Sequence, residues 1–225
     1  MFPLKVTFLG HSGFLLESGA FRVLVDPFLS GNPKAAAKAS DLNPTHILLT
    51  HGHDDHMGDV EAIGRRSGAL VITTFELANV LSDKGLKTHP MAVGGGHNFD
   101  FGRVRVTPAL HGAGVAGGSP AGFIFRLEGK AVYHAGDTGL FSDMKLLGQL
   151  EKVDLFLVPI GDNYTMGIDD AVVAVDFVRP RVAVPMHYNT FPLIQADPQE
   201  FKRRVEARIP DTAVTVLDPG QSLDF

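Results

Sequence analysis

The chain has 225 residues, of which 44% are hydrophobic, and a formal net charge of -5 with its ten histidines uncharged. This length suits one large domain, so we expect residues 1–225 to form a single unit. The acidic balance gives no general attraction to phosphate backbones or anionic lipids, which disfavours nucleic acid and membrane surfaces as partners. The sequence contains no cysteine, which excludes disulfides, thiolate metal ligands and cysteine nucleophiles.

The first residues give no signal for export. Residues 1–19 have no basic leader before an apolar stretch, and His11, Ser12 and Glu17 interrupt the apolar residues well short of membrane-spanning length. We therefore expect a cytoplasmic protein that is neither secreted nor inserted into a membrane. A homo-oligomer is compatible with the sequence.

Short apolar runs separated by glycine and proline predict many strands joined by tight turns. Ser142 and Asp197 are candidate helix caps. In both halves strands come first and then alternate with helices, which favours two mixed sheets packed face to face, with helices outside, over one doubly wound sheet. In chain order, we predict strands at 5–9, 14–17, 22–25, 46–49, 70–72, 104–110, 122–127, 131–134, 155–158, 182–184 and 214–217, and helices at 57–66, 76–84, 143–150, 169–178 and 198–207.

One glycine-rich stretch, residues 112–122, reads GAGVAGGSPAG. Its composition is typical of a flexible surface loop. Because it directly follows His111, it is also a candidate for a mobile wall or lid over a site. The sequence does not decide between these two interpretations.

The most informative segment is His51-Gly52-His53-Asp54-Asp55-His56, between the apolar run 46–49 and the predicted helix 57–66. So many imidazoles and carboxylates at one strand-to-helix turn indicate a divalent cation. Residues two apart in an extended segment point to the same side, so His51 and His53 would share one ion. Asp55 and His56 would then serve a neighbouring ion. The histidine spacing of a zinc-protease helix is absent.

Further donors stand where other predicted strands end. His111 follows 104–110, Asp137 follows 131–134, and His187 follows the run at 182–186. Strand ends of this kind meet at a sheet edge, so we expect these side chains to join the first group as metal ligands.

The ordered set of Asp26 in LVDPF, His51-x-His53-x-Asp55-His56, His111, Asp137 in HAGDTG and His187 in PMHYN resembles the five motifs of the metallo-β-lactamase superfamily. Within that superfamily, GHSGF at 10–14 and IGDNYTMG at 160–167 are similar to small bacterial and archaeal metal-dependent hydrolases related to ascorbate-6-phosphate lactonase.

The resemblance implies an α+β fold, a four-layer αββα sandwich with a dinuclear site at one edge. Asp137 would bridge the ions, and Asp26 would orient a ligand from outside the coordination sphere; the alternative for Asp26 is capping the turn at Pro27. Zinc is the first choice, with manganese, iron and nickel also suited to nitrogen and oxygen donors. The first ion would take His51, His53 and His111, and the second would take Asp55, His56 and His187.

Other residues receive roles outside metal binding. The resemblance places His11 near the metals, in contact with substrate. His134 is interpreted as a packing or outer residue, and no role is assigned to His46, His89 and His97. No organic cofactor is expected. The loops between the last motifs supply candidate pocket residues, namely Asn163, Tyr164, Thr165, Met166 and Phe191.

The predicted activity is hydrolysis of a small ester, lactone, thioester or phosphoester by a hydroxide that bridges the metals. Asp55 would relay a proton to the leaving group. One alternative is a phosphodiesterase or nuclease of the same fold acting on nucleotides or RNA, although the interval between Asp137 and His187 is too short for the extra domain that such enzymes usually carry. A second is a non-catalytic metal-binding regulatory module. A diiron enzyme would be expected to have glutamate where His53 stands.

Overall fold

Two mixed β-sheets face each other in the computed structural model, which describes residues 3–225. The first sheet has the strand order β14-β1-β2-β3-β4-β5-β6. Its β14, β1, β2 and β3 pair antiparallel, whereas β3 to β6 pair parallel. Its strands are β1 (Lys5–Gly10), β2 (Gly13–Ser18), β3 (Phe21–Val25), β4 (His46–Leu48), β5 (Leu70–Thr74), β6 (Thr88–Met91) and β14 (Ser222–Asp224).

The second sheet has the order β13-β12-β11-β10-β9-β8-β7. Here β7 to β10 pair antiparallel and β10 to β13 pair parallel. Each sheet therefore has a parallel half, and the carboxyl ends of its parallel strands share one edge. The strands are β7 (Gly96–Phe99), β8 (Gly102–Pro108), β9 (Ala121–Leu127), β10 (Lys130–His134), β11 (Leu155–Pro159), β12 (Val182–Met186) and β13 (Ala213–Val214).

Helices cover the outer faces of both sheets, so the predicted four-layer αββα arrangement is confirmed. Side chains such as Phe14, Phe123 and Phe125 fill the space between the sheets. A second core lies between the first sheet and its helices, and a third between the second sheet and its helices. The helices are α1 (Asp54–Met57), α2 (Val60–Ser67), α3 (Phe75–Asp83), α4 (Met144–Glu151), α5 (Ile168–Val178) and α6 (Pro198–Arg208), with a 3-10 turn at Ala39–Asp41.

The sequence analysis did not predict three strands, β6, β7 and β14. Each of them is an edge strand of its sheet. β6 contains a proline and β7 reads GHNF with mostly exposed residues, so neither shows an alternating apolar pattern. Edge strands bury less apolar surface, which removes the signal used for prediction. Among residues 3–225, no helix combines the length and hydrophobicity required to cross a bilayer.

The predicted helix 57–66 was wrong in its start, because the chain forms α1 and α2 with a break at Gly58 and Asp59. Gly58 has φ +37°, and a Cβ there would lie 2.5 Å from the Pro27 carbonyl oxygen. The Asp59 carboxylate accepts hydrogen bonds from the Leu29 and Ser30 amides. The break therefore anchors the histidine segment to the loop after β3.

The two predicted helix caps have different outcomes. Asp197 caps α6 by accepting a hydrogen bond from the Gln199 amide at 2.9 Å, as predicted. Ser142 was the wrong residue for α4, because the helix begins one residue later and Asp143 occupies the cap position without a side-chain cap.

Candidate metal centre

The candidate ligands converge at one edge of the sandwich, from strands of both sheets. His51 to His56 follow β4 in the first sheet. His111 follows β8, Asp137 follows β10 and His187 follows β12 in the second sheet. The edge between the sheets therefore collects donors that are far apart in sequence.

The first group of donors consists of His51, His53 and His111, whose ligand atoms lie within 4.8 Å of one another. The ring nitrogens of His51 (Nε2) and His53 (Nδ1) are 3.0 Å apart. Burial lowers the pKa of His51 to about 3, so its imidazole is neutral near pH 7 and has a lone pair to donate. This is the trio that the resemblance assigns to the first ion.

The second group contains Asp55, His56 and His187, again with ligand atoms within 4.8 Å, and the structure adds His11 to it. The Asp55 Oδ2 atom is 4.0 Å from His56 Nε2 and 3.9 Å from His187 Nε2. These are the residues that the resemblance assigns to the second ion.

Asp137 lies between the two groups. Its Oδ1 is 3.2 Å from His56 Nε2, and its Oδ2 is 3.0 Å from His187 Nε2 and 3.5 Å from His111 Nε2. Burial opposes ionisation of this carboxyl, but the charges of His56 and His187 hold its pKa well below the ordinary range. An ionised carboxylate in contact with both groups is placed where a bridging ligand would be.

Several buried atoms at this centre are hydrogen-bonded to nothing among the described residues, including His56 Nε2, Asp137 Oδ1 and His187 Nε2. Polar atoms that are buried without partners are costly, and here they face one another. Burial opposes protonation of His56, yet Asp137 and Asp26 raise its pKa well above the ordinary value. A cation would satisfy the same carboxylates and the unpaired nitrogens together, so the donor set fits a metal.

Asp26 supports both groups, directly at His56 and through Thr50 at His51. Its Oδ2 accepts from His56 Nδ1 at 2.7 Å and from the Thr50 hydroxyl at 2.7 Å, and its Oδ1 accepts from the Thr50 amide at 2.9 Å. Since the Thr50 hydroxyl donates to Asp26, it accepts from His51 Nδ1 at 3.0 Å. Both imidazoles are thereby fixed with Nδ1 protonated and Nε2 free to bind a metal.

His11 lies behind Asp55 rather than against the open site. Its Nε2 is 3.1 Å from Asp55 Oδ2 and its Nδ1 is 2.9 Å from the Thr190 hydroxyl. Burial lowers the pKa of His11 to about 4, although the hydrogen bond with Asp55 acts in the opposite direction. A neutral ring then donates from Nε2 and accepts from Thr190. The geometry indicates orientation of Asp55, in place of the substrate contact expected from the sequence.

Residues next to three strand ends have left-handed backbones: His11 after β1 (φ 59°), Asp26 after β3 (φ 43°) and His187 after β12 (φ 54°). This conformation costs a non-glycine residue about 1–2 kcal/mol. Backbone strain of this kind is concentrated at functional sites, where the surrounding structure enforces it. The sequence analysis did not predict these left-handed backbone conformations.

A cavity of about 230 Å³ opens over the centre. Tyr164 is the one candidate pocket residue that lines it. Met166 is buried in the core beneath α5, and Phe191 packs on the rings of His11 and Phe28. Asn163 and Thr165 lie in the same loop without lining the cavity. The lining consists of His53, Asp55, His111, Asp137, Tyr164 and His187.

The glycine-rich loop, residues 112–122, packs against the histidine segment. The Ala113 carbonyl accepts a hydrogen bond from the Gly52 amide at 2.8 Å. A Cβ on Gly114 (φ +71°) would lie 2.3 Å from the Gly52 carbonyl carbon, so only glycine permits this approach. Val115 packs on the core of the first sheet. These contacts anchor the loop beside His53 and argue against a free surface loop, and none of residues 112–122 lines the cavity.

Sequence reasoning missed Thr138, which holds two site loops together. Its buried hydroxyl accepts from the Leu110 amide at 2.9 Å and donates to the Gly139 carbonyl, and its own carbonyl accepts from the Met166 amide at 3.0 Å. The loop that carries His111 is thereby joined to the loop that carries Tyr164. Its position directly after Asp137 was the only signal.

Comparison with known proteins gives the same picture as the geometry. A family model described as "Beta-lactamase superfamily domain" matches residues 5–187. Proteins described as UPF0173 metal-dependent hydrolases are similar over nearly the whole chain. One from Natranaerobius thermophilus is 48% identical over 99% of this chain and 100% of its own length, and one from Symbiobacterium thermophilum is 50% identical over 97% and 99%.

Among solved structures, Igni18 from Ignicoccus hospitalis, described as a novel metallo hydrolase, superposes with a TM-score of 0.93. It is 39% identical and the match covers 99% of this chain and 98% of that one. The fold, the convergent imidazoles and carboxylates, and these relatives agree. The chain belongs to the β-lactamase superfamily of metal-dependent hydrolases and, within it, to the UPF0173 family.

Proposed function

We propose that this protein binds two divalent ions, zinc in the first place, and hydrolyses a small ester, lactone, thioester or phosphoester. The observation that carries the proposal is the position of Asp137, within 3.0 to 3.5 Å of imidazole nitrogens belonging to both donor groups. One carboxylate between two sets of three donors can contact both ions of a pair. Manganese, iron and nickel would suit the same nitrogen and oxygen donors.

In this proposal His51, His53 and His111 hold one ion, Asp55, His56 and His187 hold the other, and Asp137 contacts both. Such a pair supplies a water of lowered pKa and stabilises the oxygen that gains charge as the substrate is attacked. The chain's own residues keep the ligands in place, since Asp26 fixes the tautomers of His51 and His56 and His11 orients Asp55.

Asp55 has a second role in this proposal. Its side chain is the most exposed of the site carboxylates at 30%, and it lines the cavity. Burial raises the pKa of Asp55, but the hydrogen bond that His11 donates to Oδ2 and the charge of His56 hold it below its ordinary value, which keeps the carboxylate ionised. The carboxylate can take a proton from the attacking water at this position and release it to the leaving group.

Two other functions are weaker candidates. A nuclease of the same fold would need a surface for a polynucleotide, whereas the interval from Asp137 to His187 contains only α4, β11, α5, β12 and their loops, and the cavity of about 230 Å³ suits a small molecule. A non-catalytic module would have no use for the open cavity beside the donors.

The proposal includes a cytoplasmic location. A chain without cysteine is compatible with that compartment.

Elemental analysis of the purified protein, followed by a screen of neutral esters, lactones, thioesters and phosphodiesters, tests this function. We expect about two metal equivalents per chain and turnover of at least one class, which chelation abolishes and added metal restores. Full turnover by metal-free protein would refute the mechanism. Two bound ions without turnover of any class would favour the non-catalytic module.

A further inference from the structure

Two exposed apolar side chains, Leu110 and Tyr164, belong to the loops around the cavity. Tyr164 lines the cavity and is 51% exposed, and Leu110, which directly precedes the lining residue His111, is 57% exposed. Single exposed apolar side chains are common on protein surfaces, and these two differ in that they belong to the loops around the cavity beside the donors. The two residues belong to the loops that Thr138 holds together, so their relative position is fixed.

The loops around the cavity carry no lysine or arginine side chains. Of the 20 lysines and arginines, none occurs in the loops that supply the donors and the cavity walls. Lys34, from the loop after β3, lines a separate cavity of about 140 Å³ behind His11. The exposed charged residues of the wall loops are acidic, namely Asp54, Asp143 and Asp162. The loops without lysine or arginine are 50–57, 109–120, 135–143, 160–167 and 187–196.

Resting on the proposed function, we infer that the substrate is a small uncharged ester or lactone whose apolar group packs on Leu110 and Tyr164. A phosphate or carboxylate remote from the scissile bond needs a cationic or amide partner, and the loops around this cavity offer neither lysine nor arginine. An alkyl or aryl group would gain burial against the leucine and the tyrosine ring. The preference for an uncharged, apolar remote group therefore narrows the range of substrates given in the proposed function.

The reaction balances without a further reactant. Oxygen of one water forms a bond to the acyl carbon, and the acyl–oxygen bond of the ester or lactone breaks with its electron pair leaving on the alcohol oxygen. One water proton goes to that alkoxide, and the other is released from the carboxylic acid product. Oxidants, reductants and organic cofactors take no part.

The test uses two probes with the same metal-binding head and different tails. Butanohydroxamic acid ends in a methyl group, and succinic monohydroxamic acid has a carboxylate in its place. Calorimetric titration of the metal-loaded protein should give a dissociation constant at least about tenfold lower for the methyl probe, the lower end of what apolar pockets discriminate. The methyl and monomethyl esters of the corresponding acids should differ in kcat/KM in the same direction.

Matched variants locate the effect. Leu110→Arg should reduce or reverse the preference by placing a cation at the rim. Leu146→Arg makes the same change at a leucine of similar exposure, 53%, on the helix α4, and should leave the preference unchanged. A preference that Leu146→Arg alters as much as Leu110→Arg would contradict the assigned location.

Equal affinity for the two probes, or tighter binding of the carboxylate, would overturn the inference while leaving a metal-dependent hydrolase in place. Failure of both probes to bind a metal-loaded protein that still turns over another substrate class would also overturn the inference alone. A protein that binds no metal would overturn the proposed function, and the inference with it.

Discussion

Nine of the ten histidines of this chain fall into two clusters with different chemistry. One is the metal centre. The other, which we call the far histidines, comprises His46, His89 and His97, on or near β4, β6 and β7 away from the metal-centre edge. The rings of His89 and His97 are 4.4 Å apart, and Phe99 packs on both at 4.8 and 4.7 Å. His46 packs on Phe101 at 4.7 Å and contacts Asp100 at 3.2 Å.

The comparison shows that histidine density does not make a site. At the metal centre the nitrogens converge from different strand ends, alongside buried carboxylates, and several have no hydrogen-bond partner. Among the far histidines of the described chain, no three donor atoms come together, and the neighbouring carboxylate, Asp100, is 68% exposed. Convergence of donor atoms in a buried place separates the two clusters.

The largest difference is expected from removing one imidazole from each cluster. His56→Ala should abolish binding of at least one ion and lower turnover by more than about 100-fold, since a direct ligand matters more than the outer partners, which contribute 10–100-fold. Elemental analysis and turnover of the best screened substrate measure this. His89→Ala should change neither quantity.

His56 is fully buried, so His111→Ala provides a second variant whose side chain is partly exposed and whose loss disturbs the core less. Circular dichroism would verify that both variants fold. If folded His56→Ala and His111→Ala retained full metal content, the assignment of this cluster as the centre would be wrong.

The two histidine–aspartate pairs sharpen the comparison. Asp26→Asn puts an amide where His56 Nδ1 and the Thr50 hydroxyl donate, which favours the wrong tautomer of His56 and weakens the contact that fixes His51. We expect metal affinity to fall by about 10–100-fold. Competition titration against a chromophoric chelator measures this effect. The same substitution at Asp100, beside His46, should have no effect on affinity.

If Asp26→Asn lowered metal affinity by less than about tenfold, or by no more than Asp100→Asn does, Asp26 would act on the fold and not on the ligands. Urea unfolding of the metal-free proteins separates these cases, because an effect on ligand tautomers appears only when metal is present.

The smallest effect concerns the glycine-rich loop beside His53. Gly114→Ala and Gly117→Ala both add a methyl group at positive φ (+71° and +69°), at about 1 kcal/mol each. Only at Gly114 would the new methyl meet the backbone of Gly52 and His53, which adds about 1–3 kcal/mol. Urea unfolding should therefore show a larger loss of stability for Gly114→Ala, accompanied by weaker metal binding. Equal losses would mean that the loop does not support the metal centre.

Most of the fold was predictable because its interior strands are apolar and its helices amphipathic. The sandwich class and the interior strands of the parallel halves followed from runs such as 155–158. The edge strands β6 and β7 gave no such signal, and the helix break at Gly58 depends on a close approach to Pro27 that residues far apart in sequence create.

At the site, the donor residues were predictable, whereas their supports were not. His51, His53, Asp55 and His56 stand out because that density of ligands is rare in a turn, and the structure brings His111, Asp137 and His187 to them. The position of His11 behind Asp55, and the exclusion of Met166 from the cavity, depend on which side of each loop faces the core.

By itself the sequence determined which atoms are available to bind a metal, their order along the chain and the class of fold, because composition and periodicity are local properties. Only the tertiary structure decided that Asp26 supports His56 directly and His51 through Thr50, that Thr138 joins two loops and that Tyr164 lines the cavity beside the donors. These properties arise from contacts between segments distant in sequence, and the distances between them are set when the two sheets pack together.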